Sequence, residues 1–185
     1  MPTPPKILKR RTVARSRLFR IEQLDLRFAN GVERVYERLG GGGYGAVVIV
    51  PLTANGEVLL VREYGAGSNR YHWGLPKGAV DPGEDVCTAA DRELKEEAGH
   101  GARRLTPLKR MYLNPFYMER ELDIVLAEDL YPESLPGDEP EPLATMYWPL
   151  QRLAELFARD DANDALSISA LFLAREHLAS RGGAG

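Results

Sequence analysis

The chain has 185 residues, 44 % of them hydrophobic, which suits one compact domain with room for no more than a small appended subdomain. A net charge of -3 without any Lys/Arg block argues against a nucleic-acid partner, and the sequence contains neither an apolar run of membrane-spanning length nor the apolar core of a signal peptide. With Cys87 as the single cysteine there is no intrachain disulfide, and the simple reading is a cytoplasmic protein that has no membrane partner.

Taken in chain order, Leu24, Leu26 and Phe28 alternate with Asp25 and Arg27, Asn30-Gly31 follows, and the pattern resumes over 32–39, which predicts a hairpin. A glycine run at 40–43 then predicts a hinge between a strand-rich arm, 1–44, and the main domain, 45–185. The β-branched stretch 46–51, the turn signal Asn55-Gly56 and the segment 57–64 predict a strand, a turn and a return strand. Residues 65–85 read as a loop, and Val86–Ala98, free of Pro and Gly, reads as a helix stopped by Gly99. Strands are expected at 104–113 and 121–130, a Pro- and acid-rich loop at 131–142, and a short strand at 144–148. Two helices should close the chain, at 150–159 and 164–180, the second with an apolar stripe at Leu166, Ala170, Leu173 and His177. The layout is a mixed α/β sandwich carrying an N-terminal antiparallel strand arm.

The helix over 86–98 carries the chemistry. At 100° per residue Glu93, Glu96 and Glu97 share an arc, beside an apolar stripe of Cys87, Ala90, Leu94 and Ala98. Like charges at these spacings cost a helix a few tenths of a kcal/mol per pair, roughly, and a bound cation relieves that repulsion. Hard oxygen donors without clustered His or Cys favour Mg²⁺, with Mn²⁺ also suited, over zinc. Three glutamates also fit an ordinary solvated Glu/Lys face, so the helix by itself leaves both readings open.

The full string, Gly78-x5-Glu84-x7-Arg92-Glu93-Leu94-Lys95-Glu96-Glu97-Ala98-Gly99, resembles the signature of the Nudix hydrolase family. At ordinary residue frequencies, chance agreement at its specified positions is on the order of once in ten million chains of this length. The final position, a bulky apolar residue in the family, is His100 here, which reads as a capping or surface histidine. The resemblance implies an α/β/α sandwich with a mixed sheet. It also implies a metal platform in which Glu93 and Glu97 are the principal ligands, Glu96 a shared or second ligand, and the carbonyl of Lys77 a backbone ligand. Arg92 and Glu84 match residues that orient those carboxylates.

Outside the signature, Glu139-x-Glu141 in the acidic loop resembles the Glu-x-Glu of family members that hydrolyse ADP-ribose, implying Glu139 as the base that deprotonates water and Glu141 as an extra metal ligand. Arg62 resembles the family's diphosphate-contacting arginine. Gly65 stands where many ADP-ribose enzymes carry a second Arg, and Gly74 in Trp73-Gly74-Leu75-Pro76 stands where they carry Glu, so specificity for ADP-ribose alone is not expected. Segments spanning nearly the whole chain, among them 13–19, 35–38, 130–143 and 169–176, are similar to the branch of the family acting on ADP compounds. That likeness implies ADP-ribose, NADH and short diadenosine polyphosphates as small-molecule nucleotide substrates, AMP as a product, and a homodimer. Phe28 and Tyr36 in the arm are candidates for stacking on adenine, as is Trp73 beside Tyr71, each against the alternative of ordinary core. Two competing functions remain: hydrolysis of a GDP-sugar or other nucleotide by the same apparatus, and a non-catalytic nucleotide sensor, a class that tends to lose the carboxylates retained here.

Overall fold

The computed structural model describes residues 2–40 and 45–182, so the expected glycine hinge lies, beyond Gly40, outside the described residues. Contacts divide the chain into two units, 1–44 with 112–121, and 45–111 with 122–185. The 112–121 segment was not expected to group with the arm.

In the first unit, β1 (Lys6–Arg15), β2 (Arg20–Arg27) and β3 (Glu33–Leu39) form an antiparallel sheet in the order β1-β2-β3. The β2–β3 hairpin turns at Asn30-Gly31, where Gly31 takes φ 82°, a conformation open to glycine at little cost. Alternation in β2 buries Glu22, Leu24 and Leu26, and the Glu22 carboxylate is met by Arg38 at 2.9 Å and Arg20 at 3.2 Å. β1 escaped the sequence reading because every one of its residues is exposed, leaving no buried face to impose a period of two.

The second unit is a three-layer α/β/α sandwich. One sheet orders β10 (Ala144–Pro149), β5 (Glu57–Gly65) and β6 (Arg70–Gly74); the other orders β7 (Lys77–Ala79), β4 (Ala46–Pro51), β9 (Glu121–Pro132) and β8 (His100–Tyr112). The β4–β9 pair is parallel and β4–β7 antiparallel, which makes the sheet mixed. Alternate residues of the central strands face opposite layers. Val47, Ile49, Leu59, Val61 and Val125 pack with Ala90 and Leu94 of α1 (Val86–Ala98); Val48, Val50, Leu60, Ile124 and Leu126 pack with Leu153 and Leu156 of α2 (Leu153–Phe157) and Ala170, Leu171 and Ala174 of α3 (Ala165–Gly182). Each fully buried Leu or Ile contributes about 1.5–3 kcal/mol. Among the described residues no helix is long and apolar enough to cross a membrane.

Three expectations are corrected. The loop at 65–85 contains β6 and β7, short strands hidden by the glycines and prolines around them. The helix at 150–159 is a 3₁₀ turn, Leu150–Arg152, followed by the single turn of α2. Buried Leu150, Leu153 and Leu156 recur every three residues there, a spacing suited to the tighter turn. The stripe on α3 is rotated: Ser167, Ala170, Leu171 and Ala174 are fully buried, while Leu166, Leu173 and His177 are half-buried. Small residues let the helix approach the sheet closely, so a stripe drawn through the large side chains misses the centre of its buried face.

Candidate active site

Helix α1 begins at Asp85, whose side chain accepts a 2.7 Å bond from the N–H of Cys87, and ends at Gly99 in the left-handed region, φ 65°. Its apolar side is anchored by Ala89, Ala90, Leu94 and Ala98, with Cys87 half-buried. That anchoring fixes the rotation of the glutamate face. Lys95, paired with Asp91 at 2.8 Å and Glu133 at 2.7 Å, offsets part of the helix's negative charge.

Arg92 ties the carboxylates together. Its guanidinium donates to Glu84 at 3.0 and 3.1 Å, to Glu93 at 2.7 Å, to Glu96 at 3.1 Å and to the carbonyl of Ala79 at 2.9 Å. Glu84 also accepts from the N–H of Asp81 at 3.0 Å, and the Arg92 bonds hold its carboxyl below the usual range. Burial pushes Glu93 up despite Arg92. Gly78 leaves room for Glu93: a Cβ there would stand 2.0 Å from its carboxyl carbon.

Glu97 is bound differently. Its Oε2 accepts a 3.0 Å bond from the backbone N–H of Lys77. Burial pushes its carboxyl up to about 8, an acid that has lost water without gaining enough positive charge in exchange. The Lys77 side chain forms an ion pair with Glu63, fourteen residues away on β5. The loop after β9 is pinned to the end of α1 by bonds from the N–H of Leu135 to the carbonyl of Lys95, 3.2 Å, and from the N–H of Glu133 to that of Gly99, 3.1 Å. It thereby carries Asp138 and Glu139 to the glutamates. Loss of water, with Glu63 and Asp138 nearby, raises the Glu139 carboxyl. Lys77, Gly78, Arg92, Glu93, Glu96, Glu97, Asp138 and Glu139 line one pocket of about 480 Å³.

These residues suit a hard divalent cation. The donors are all oxygens, Glu97 is buried with too little positive charge, and Gly78 makes the space Glu93 occupies. Among the described residues, no three acidic, His or Cys side chains are drawn around a single point, because Glu93 and Glu96 direct oxygens at Nη1 of Arg92.

Arg62, Tyr71 and Trp73 sit together on the β5–β6 pair. The Arg62 guanidinium lies 5.6 Å from the Tyr71 ring centroid and 5.9 Å from that of Trp73, and Arg62 is exposed whereas Trp73 packs partly into the core. Phe28 and Tyr36 pack against each other in the first unit, ring centroids 6.2 Å apart. Glu141 is not among the residues lining the carboxylate pocket; it accepts a bond from the Tyr71 hydroxyl. Residues 133–139 have no regular structure and a bend follows at 140–141, so no strand alternation ties the direction of Glu141 to that of Glu139. His100 opens β8, its Nδ1 2.7 Å from the carbonyl of Ala98 and its Nε2 3.3 Å from the Tyr147 hydroxyl. Sequence reasoning missed Glu63, Asp138 and the Lys77 side chain. Asp138 adjoins Glu139 in the same acidic run, a signal that was available; the Glu63–Lys77 pair bridges separate strands and leaves no local trace.

The chain is similar to known proteins over most of its length. Residues 5–38 match the family described as NudE-type Nudix hydrolase N-terminal domain, and residues 44–171 the NUDIX domain. The chain is 52 % identical over 178 residues to ADP compounds hydrolase NudE of Escherichia coli (strain K12), covering 96 % of this chain and 95 % of that protein. It is 27 % identical over 172 residues to ADP-ribose pyrophosphatase of Bacillus subtilis (strain 168), covering 90 % and 92 %. A crystal structure of ADP compounds hydrolase superposes with a TM-score of 0.91 at 50 % identity, covering 98 % of each chain.

Proposed function

The chain belongs to the Nudix hydrolase family, and we propose that within it the protein cleaves the diphosphate bond of ADP joined to a second group, releasing AMP. The observation that carries the reading is the single pocket in which the glutamate face of α1 meets Asp138 and Glu139. ADP-ribose, NADH and short diadenosine polyphosphates are the expected substrates.

Nudix hydrolases need divalent metal ions. Here the all-oxygen donor set supports Mg²⁺, with Mn²⁺ also suited, held by Glu93, Glu96, Glu97 and the carbonyl of Lys77. When bound, the ion neutralises the diphosphate and makes water more acidic. Glu139 takes the proton from the water whose oxygen bonds to phosphorus as the bridging P–O bond breaks, and loss of water, which raises its carboxyl, makes it a stronger base than a freely solvated glutamate. Arg92 and Glu84 keep Glu93 and Glu96 oriented. Arg62 draws in the diphosphate, steadied by Tyr71 and Trp73. Glu141, exposed and bonded by Tyr71, belongs to the rim of the site, and a role as extra ligand requires it to leave that contact.

We read the protein as a cytoplasmic homodimer. The arm exposes Ile7, Val13, Leu18, Phe19 and Val35, with Leu18 75 % accessible, an apolar surface suited to a second copy. Phe28 and Tyr36 in that arm are the proposed adenine contacts. The test is parallel hydrolysis of ADP-ribose, NADH, diadenosine triphosphate and GDP-mannose, with Mg²⁺ and with chelator. AMP as a common product of the first three, lost with chelator, is the expected result. Preferential cleavage of GDP-mannose, or products without AMP, would overturn the reading.

A further inference from the structure

The chain leaves β9 at Pro132 and rejoins a sheet at Ala144, the first residue of β10. The outgoing half of this loop is tied to α1. Beyond its bonds to the carbonyls of Gly99 and Lys95, Gly137 lies against the helix, where a Cβ would stand 3.5 Å from the carbonyl oxygen of Glu96. At the far end Leu143 packs against the apolar cluster beneath α1. Between these points, among the described residues, 138–142 are held to the rest of the unit by the hydrogen bond from the Tyr71 hydroxyl on β6 to Oε1 of Glu141.

We propose that Glu141 binds no metal and acts instead through Tyr71 as a positioning residue, clamping the loop so that Glu139 meets the carboxylate pocket. The proposal rests on the functional reading above. Base and clamp share one short run, Glu139-Pro140-Glu141-Pro142, stiffened by its two prolines. Each proline ring fixes its own φ and biases the residue before it, here Glu139 and Glu141, toward extended backbone. Fixing Glu141 therefore limits where Glu139 can point. A bond from a hydroxyl to an ionised carboxylate is of the stronger, charge-assisted kind. It also raises the Tyr71 hydroxyl above the ordinary tyrosine value, which keeps the phenol a donor at neutral pH. A cation would have to take Glu141 from this partner, and Glu141 does not line the pocket that holds Glu93, Glu96 and Glu97. The Tyr71 ring meanwhile faces the Arg62 guanidinium at 5.6 Å, so ring and hydroxyl serve separate ends.

The test separates a clamp from a metal ligand. Glu141→Gln keeps an oxygen that accepts from Tyr71 but loses the charge a cation needs, whereas Glu141→Ala loses both. Tyr71→Phe removes the hydroxyl and keeps the ring. Kinetic constants for AMP release from ADP-ribose, and Mg²⁺ affinity by calorimetry, are measured for each variant and for Tyr71→Phe made in a Glu139→Gln background. The expected result is a kcat about tenfold lower in Tyr71→Phe and in Glu141→Ala, restored by Glu141→Gln to within about threefold of wild type, with KM and Mg²⁺ affinity held within about twofold throughout. In the Glu139→Gln background Tyr71→Phe costs nothing further, because the clamp acts through Glu139. Glu141→Gln as slow as Glu141→Ala, with Mg²⁺ bound more weakly, would make Glu141 a ligand and overturn the positioning role alone. An unchanged kcat in Tyr71→Phe, or an equal loss with and without Glu139, would overturn it too. A wild-type enzyme that leaves ADP-ribose intact would overturn the functional reading and the positioning role with it.

Discussion

Replacing Gly78 by Ala isolates the geometry of Glu93 from everything else in the site. The added Cβ would stand 2.0 Å from the Glu93 carboxyl carbon and 2.2 Å from each of its oxygens. Ordinary contact between carbon atoms needs about 3.5 Å, so the carboxyl must retreat by about 1.5 Å. That movement breaks the 2.7 Å bond from Arg92 Nη1 to Glu93 Oε1. The backbone is no obstacle, because Gly78 is not among the positive-φ glycines. Overpacking costs about 1–3 kcal/mol, and reduced freedom of the unfolded chain returns about 0.4–1 kcal/mol, so the net loss is about 2.6 kcal/mol at most. At about 2–4 °C per kcal/mol the Tm falls by no more than about 10 °C, and the variant stays folded. Misplacing a reacting group's partner by about 1 Å costs on the order of a hundredfold in rate, and kcat/KM should fall by that order while half-saturation by Mg²⁺ moves to higher concentration. The assay is steady-state release of AMP from ADP-ribose across an Mg²⁺ titration, alongside a thermal melt. A kcat/KM within about threefold of wild type with unchanged Mg²⁺ dependence would refute the reasoning, because a displacement of that size cannot leave a catalytic carboxylate effective.

Other outcomes follow from the same geometry. Glu97→Gln should abolish turnover through lost Mg²⁺ binding, while Glu139→Gln should slow turnover by about 10²–10⁴-fold and leave Mg²⁺ affinity, read by calorimetry, nearly intact; equal loss of affinity in both would merge their roles. Glu128 is buried, which raises its carboxyl, but bonds from Arg181 and Arg104, each 3.0 Å, outweigh burial and hold it below the ordinary value. A carboxyl lowered on folding stabilises above its unfolded pKa of about 4.3, and the benefit disappears as pH falls through the lower folded value. Both arginines are about half exposed, so Glu128→Gln should cost about 1 kcal/mol at pH 7, seen as a Tm loss of about 2–4 °C that vanishes in strong acid; a pH-independent difference would contradict the assignment. Sedimentation should find a dimer that the paired substitution Leu18→Glu and Phe19→Glu in the exposed arm dissociates, and a monomeric wild type would refute the dimer.

The amino-acid order alone determined the features whose physics is local. Helix α1 was legible to the residue because its apolar spacing and Gly99 stop act within a few turns, and its glutamate face follows from helical geometry alone. The β2–β3 hairpin was legible because Asn30-Gly31 favours a tight turn of the right hand. What tertiary structure decided depends on groups distant in the chain. β7 exists as a strand because Val47 and Val48 offer it partners, not because of its own three residues. The meeting of Asp138 and Glu139 with the glutamates depends on where β9 ends and on bonds to the carbonyls of Lys95 and Gly99. The bond from the Tyr71 hydroxyl to Glu141 and the ion pair of Lys77 with Glu63 join residues far apart in the chain, a neighbourhood that no short-range pattern encodes. Even Gly78, plain in the signature, acquired its reason only once α1 packed over β7 and brought the Glu93 carboxylate against a position where no side chain fits.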